Sequence, residues 1–290
     1  MSHLVVENLS VALGGDPRRR LLRSVSLAVA PGEVHGLVGE SGAGKSMIGR
    51  TIFGILPRPV RVIAGRVTVG GRDILALPRA EQRRLVGHTM ALVPQDPMTA
   101  LNPSRRIRDQ LTDRLVHVLG TPRRAAEERA RRLLEEVLIR DADRVMRSYP
   151  HELSGGMRQR VLIAEAFAAE PALIVADEPT TALDVTVQKT ILGLIAAMQA
   201  RHGAALLFVT HDLGVVAKIC GRVTVLYAGT VVEQAATADL LAAPRSPYTR
   251  ALLDAIPRYD RPDRELVPVA PAVIAAVRAE VAANDAAFLG

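Results

Sequence analysis

Only one cysteine, Cys220, occurs in 290 residues. A disulfide within the chain is excluded, and a reducing compartment is its natural setting. Aromatic residues make up 3%, too few to build the stacking platforms that hold single-stranded nucleic acid, so no nucleic-acid partner is expected. No apolar run approaches the roughly 18 residues needed to cross a bilayer. Met1-Ser2-His3 does not lead through basic residues into an apolar stretch, so no secretory leader is expected. Lysine is scarce too: Lys45, Lys189 and Lys218 stand alone among 37 basic residues. No internal repeat stands out, and the alanine-rich tail is the one biased tract.

What is present is a globular composition. Hydrophobic residues reach 49%, enough for a proper core and far from a disordered profile. The net charge is +7, carried by arginine clusters at 18–20, 105–108 and 123–132. They read as solvated or membrane-facing surface. Alternation predicts strands over 4–11 and 21–29. Gly70-Gly71 predicts a hairpin between 65–69 and 73–75. From about 98 to 160 the texture turns charged and helical. Pro122 is expected at the first position of a helix whose buried face is Ala126, Ala130, Leu133, Leu134 and Val137. Buried strands are expected over 172–176 and 204–209, a helix over 185–201, and a hairpin across Ala228-Gly229. From Pro244 the apolar pattern thins into an appended segment ending in a helix over about 272–287.

The stretch Gly39-Glu40-Ser41-Gly42-Ala43-Gly44-Lys45-Ser46 fits G-x-x-x-x-G-K-[ST] without a mismatch. Small residues let backbone N–H groups curl around phosphate oxygens. Lys45 can reach the β- and γ-phosphates of a nucleotide, and Ser46 can offer its hydroxyl to Mg²⁺. The flanks agree: 34–38 reads as a buried strand and 47–56 as a helix ended by Pro57. The phosphates would sit on the positive end of that helix. A second chemical element follows at Leu173-Ile174-Val175-Ala176-Asp177-Glu178, an apolar strand ending in two carboxylates. Asp177 is the natural Mg²⁺ partner, and Glu178 the natural group to orient and polarise an attacking water.

At Leu153-Ser154-Gly155-Gly156-Met157-Arg158-Gln159-Arg160 the sequence resembles the ATP-binding subunits of ABC transporters. The resemblance implies an α/β phosphate-loop cassette with a RecA-like core, an antiparallel β subdomain and an inserted helical subdomain over about 98–160. It divides the chain into a nucleotide-binding domain, 1–243, and a C-terminal extension, 244–290. It implies that Ser154, Gly155 and Gly156 close over ATP held by a facing subunit, in a head-to-tail dimer with two sandwiched nucleotides. Gln95, kept in a loop by Pro94 and Pro97, matches the glutamine that reaches the Mg²⁺ site and senses the membrane partner. Thr181-Ala182-Leu183-Asp184 matches the D-loop, which assigns Asp184 to the nucleotide. His211, after Val209-Thr210, matches the histidine that contacts γ-phosphate. The family often stacks an aromatic residue on adenine; here the matching position is Leu13, and an arginine from 18–20 is the expected help.

Gln95 to Pro103, Ser148 to Leu153 and Ser246-Pro247-Tyr248-Thr249-Arg250-Ala251-Leu252-Leu253 are similar to segments of oligopeptide, dipeptide and nickel importers. The resemblance is close to the first of their two ATPase subunits. It implies ATP and Mg²⁺ as ligands, and a peripheral place on the cytoplasmic face of the cell membrane. It implies as partners two transmembrane permeases, a second ABC ATPase subunit and an extracytoplasmic solute-binding protein. Peptides are the leading solute. The family's extension often holds an iron–sulfur cluster on cysteines; none follows Cys220, so no cluster is expected. The alternative is a soluble ABC ATPase acting on nucleic acid or ribosomes.

Overall fold

The computed structural model describes residues 3–181, 184–255 and 269–289. The chain forms two compact units, Met1–Ala76 with Phe208–Gly290, and Leu77–Leu207.

The first unit opens with β1 (Leu4–Leu13) and β2 (Arg20–Val29), paired antiparallel with Leu4 opposite Val29. Then come β3 (Val34–Val38), α1 (Lys45–Phe53), β4 (Val60–Val69) and β5 (Arg72–Asp73). The antiparallel sheet runs β2-β1-β4-β5. Leu4, Val6, Leu9 and Val11 of β1 are buried against it. Gly70 and Gly71 both take left-handed φ, 55° and 80°, as the tight hairpin between β4 and β5 requires.

The second unit is mainly helical. It holds α2 (Arg79–Thr89), β6 (Met90–Val93), α3 (Pro97–Ala100), α4 (Ile107–Asp113), α5 (Arg123–Glu136) and α6 (Ala142–Arg147). These are followed by α7 (Gly155–Ala168), β7 (Leu173–Asp177) and α8 (Val185–His202). β6 and β7 are parallel, with Met90 opposite Leu173. Leu173, Ile174, Val175 and Ala176 are all buried, as a strand covered on both faces demands. α7 packs on α5 and β6 and buries Val161, Ile163, Ala164 and Phe167.

β8 (Ala205–Thr210), buried throughout, carries the chain back into the first unit. There follow α9 (Leu213–Ile219), β9 (Arg222–Tyr227), β10 (Thr230–Ala236), α10 (Thr237–Ala242), α11 (Pro247–Asp254) and α12 (Pro271–Leu289). β9 pairs parallel to β3, with His35 opposite Arg222, and antiparallel to β10.

Two expectations are corrected. α1 starts at Lys45 and stops at Phe53 rather than running to Leu56, because Gly54 closes it in the left-handed conformation at φ 67°. Pro122 is the N-cap of α5 and not its first helical residue. The described residues just after Pro244 are packed and hydrogen-bonded to the first unit. Tyr248 and Thr249 are fully buried, the Ser246 hydroxyl caps α11 by accepting from Tyr248 N–H, and Glu233 accepts from the Arg245 and Ser246 N–H groups.

Candidate functional site

Gly39, Gly42 and Gly44 shape the loop between β3 and α1, each for a different reason. A methyl group on Gly39 would lie 2.2 Å from the Leu226 carbonyl oxygen of β9. Gly42 and Gly44 stand at φ 83° and 101°, where side chains are strained. A methyl on Gly44 would also meet Leu22 Cδ2 at 2.7 Å. Gly44, the N-cap of α1, offers no side-chain cap, and this end of the helix carries its partial positive charge. Lys45 is buried and donates to the Gly39 and Glu40 carbonyls at 2.8 and 3.0 Å. Glu40 and Ser41 are exposed at the tip, while Ala43 is buried. Ser46 lies in the first turn of α1. His211 follows β8 in this same unit and is exposed.

In the second unit, Asp177 ends β7 and Glu178 follows it at φ 47°. A left-handed glutamate is uncommon, and backbone strain of this kind collects at functional sites. Its carboxylate orientation is fixed by two donors on Oε2: Gln95 Nε2 at 3.3 Å and the Thr181 hydroxyl at 2.9 Å. Gln95 and Glu178, 83 residues apart, are therefore brought together. Gln95 itself lies in the loop after β6.

Ser154 is the N-cap of α7, its hydroxyl accepting from Met157 N–H at 3.3 Å. The turn before it is fastened twice. Glu152 accepts from Tyr149 N–H at 2.6 Å, and Arg158 Nε donates to the Pro150 and Leu153 carbonyls. Among the described residues, a methyl on Gly155 would meet nothing within 4 Å, and one on Gly156 would meet Val187 at ordinary contact distance. Asp184 caps α8 by accepting from Val187 N–H at 2.9 Å. Its neighbours Ala182 and Leu183 in the matched motif lie outside the described residues.

Two residues that stand in the quoted motifs without a role of their own gain one in the structure. The Thr181 hydroxyl fixes Glu178, and buried Gln159 donates from Nε2 to the Pro179 carbonyl at 2.8 Å, tying α7 to the turn that follows the carboxylates. An amide among the buried apolar side chains of α7 is the signal that marks Gln159. On the same helix, burial raises the Glu165 carboxyl to about 7, partly opposed by the charge of Arg114.

Among the arginines at 18–20 expected to help hold adenine, Arg20 is engaged elsewhere. Arg20 is fully buried at its side chain. It donates to Asp285 Oδ1 from Nε at 2.9 Å and Nη2 at 2.6 Å, and its guanidinium lies 4.1 Å from the Phe288 ring centre. It is committed to α12 rather than to a ligand.

A glycine-walled anion cradle with a buried lysine, and a strained glutamate held by an amide and a hydroxyl, are the parts of a phosphate-loop ATPase. Comparison with known proteins narrows that class. Residues 22–181 match the ABC transporter family, and residues 232–281 match the oligopeptide/dipeptide transporter C-terminal region. The chain is similar to the probable peptide ABC transporter ATP-binding protein y4tR of Sinorhizobium fredii, with 45% identity covering 91% of this chain and 79% of that protein. It is similar to the dipeptide transport ATP-binding protein DppD of Escherichia coli, with 42% identity covering 94% and 84%. Among solved structures it resembles cbiO1 from Clostridium perfringens, part of the ABC transporter complex cbiONQ, with a TM-score of 0.73, 26% identity, and coverage of 90% and 96%. The chain belongs to the ABC transporter family, and it is an ATP-binding, ATP-hydrolysing cassette. Among the described residues, no helix is long and apolar enough to cross a membrane.

Proposed function

We propose that this chain hydrolyses ATP to power the import of short peptides, as the first of two ATPase subunits of a membrane transporter. What carries the reading is the pairing, in one chain, of the cassette motifs with a C-terminal region of peptide-transporter type. The chain docks at the cytoplasmic face on two transmembrane permeases, and an extracytoplasmic binding protein delivers the solute.

The cradle from Gly39 to Ser46 binds the phosphates, with Lys45 moving from its carbonyl partners onto the β- and γ-oxygens. Ser46 and Asp177 are hard oxygen donors of the kind Mg²⁺ takes alongside substrate phosphates, with Gln95 as their companion. Mg²⁺ bound by them would neutralise charge that develops on the phosphate oxygens. Glu178, oriented by Gln95 and Thr181, positions the attacking water and draws on its proton. His211 steadies the γ-phosphate. Ser154, Gly155 and Gly156, at the positive end of α7, close over nucleotide held by the facing ATPase subunit, and Asp184 lies at the entry to α8 beside that contact.

The substitution Glu178→Gln tests the core of this. It keeps the two hydrogen-bonded neighbours and removes the basic oxygen. ATP affinity is expected to stay within about twofold while turnover in the assembled transporter falls by about 10²–10⁴. Turnover near wild type would remove Glu178 from the role. Purification of the tagged chain from its own cells, with the peptides retained by the complex read by mass spectrometry, tests the solute.

A further inference from the structure

The helix α12 reaches the phosphate cradle by two separate lines of contact. The first begins at Asp285. Its Oδ1 accepts from Arg23 Nε at 2.8 Å as well as from Arg20. Arg23 then grips the β9–β10 turn twice, donating from Nη1 to the Ala228 carbonyl at 2.6 Å and from its backbone N–H to the Gly229 carbonyl at 2.8 Å. Gly229 N–H in turn donates to the Ala43 carbonyl at 2.8 Å, inside the cradle. The turn fits without slack: a methyl on Gly229 would lie 2.2 Å from the Leu21 carbonyl. Ala228 holds a left-handed φ of 46°, which persists only when neighbours fix it.

The second line begins at Arg278, whose Nε donates to the Tyr227 hydroxyl at 3.3 Å. The Tyr227 ring packs on Tyr248 at 4.8 Å between centres. Among the described residues the buried Tyr248 hydroxyl has no well-formed hydrogen bond; burial first, and then the charge of Glu40, the second residue of the cradle, raise its pKa. The inner face of α12 is built for this seat. Val277 and Val281 are buried, and Asn284 accepts from Arg20 Nη2 through both its carbonyl and its side chain.

We propose that Asp285 is a positioning residue for nucleotide binding, setting the phosphate cradle through Arg23 and the Ala228-Gly229 turn. The C-terminal helix thereby becomes a brace whose seating and the occupancy of the cradle depend on each other. By linkage, a brace that favours the binding-competent loop is itself held more firmly when nucleotide is bound. The inference rests on Gly39 to Ser46 being the phosphate site.

The test uses the full chain and two readouts: ATP affinity by equilibrium fluorescence titration, and amide hydrogen exchange over 277–289 with and without ATP. Asp285→Asn is expected to weaken ATP binding about fivefold or more, with Asp285→Glu recovering part of the loss. ATP is expected to slow exchange over 277–289 in the wild type and not in Asp285→Asn. Val281→Ala loosens the seat of the helix but keeps the Asp285–Arg23 line, so it is expected to lower the melting temperature and to weaken ATP affinity by clearly less than Asp285→Asn does. Unchanged affinity in Asp285→Asn, or an equal loss in Val281→Ala, overturns the proposal. Lys45→Ala separates the two readings: if it binds ATP like wild type, the cradle assignment fails. If it loses ATP while Asp285→Asn does not, only the brace fails.

Discussion

A methyl group costs different amounts at three glycines of one loop. At Gly42 it meets nothing within 4 Å, so the cost is backbone strain alone, about 1–2 kcal/mol. At Gly44 the same strain is joined by a side-chain overlap with Leu22, and at Gly39 the obstacle is a backbone carbonyl. Leu22 can rotate, whereas Leu226 is held by the pairing of β9 with β3. Stability by chemical denaturation is therefore expected to fall in the order Gly39→Ala, Gly44→Ala, Gly42→Ala, largest loss first. A largest loss at Gly42 would contradict it. The positions of these glycines are legible in the sequence, but their separate reasons are not, because Leu226 and Leu22 approach only through the fold. Glu178 shows the same limit. Its place at a strand end is legible from the apolar run before it, while its positive φ and its clasp by Thr181 depend on how the next turn bends. Arg20 shows the opposite failure: a basic residue beside the first turn looks available for a ligand, and only a helix some 265 residues later takes it away.

Elements followed periodicity wherever burial enforces it. The strands 173–177 and 205–210 stand within a residue or two of their expected bounds, since each is apolar on both faces over most of its length. Ends were less legible, because caps decide them. Gly54 stops α1 three residues before the proline that the sequence offers as a breaker. Ser154 begins α7 by lending its hydroxyl to Met157 N–H, so one hydroxyl serves both the helix and, on the proposed mechanism, a partner's nucleotide. A pair of substitutions separates these duties. Alanine at 154 removes the cap and is expected to cost about 1 kcal/mol, while glycine there costs only a few tenths. Both remove the hydroxyl, so both are expected to depress ATP turnover in the assembled transporter alike. Denaturation of the isolated chain and turnover of the complex read the two duties apart. If turnover followed the stability ranking, with Ser154→Gly nearly as active as wild type, the hydroxyl would be a cap and nothing more.

For the molecule as a whole, the proposed division of labour places the cradle and its closing serine on different chains. Ser154 is exposed at the N-terminus of α7, and among the described residues a methyl on Gly155 would meet nothing within 4 Å. If two copies face each other head to tail, the two active sites are equivalent by symmetry, and each needs Lys45 from one copy and Ser154 from the other. Two inactive variants then have complementary defects. Lys45→Ala spoils the cradle and keeps the serine; Ser154→Ala keeps the cradle and spoils the cap. Neither is expected to turn over ATP alone. Mixed in equal amounts, half the pairs combine one of each, and every such pair contains one intact site and one doubly defective site. Recovery of about a quarter of the wild-type rate follows, if the sites act independently. The rate per chain is also expected to rise with concentration, since a lone copy lacks the cap it needs. A wild-type rate per chain that stays constant on dilution to a proven monomer would place the whole reaction within one chain and overturn the shared site, whereas a mixture no more active than its components would rule out pairing of two copies and leave the second ATPase subunit as the facing partner.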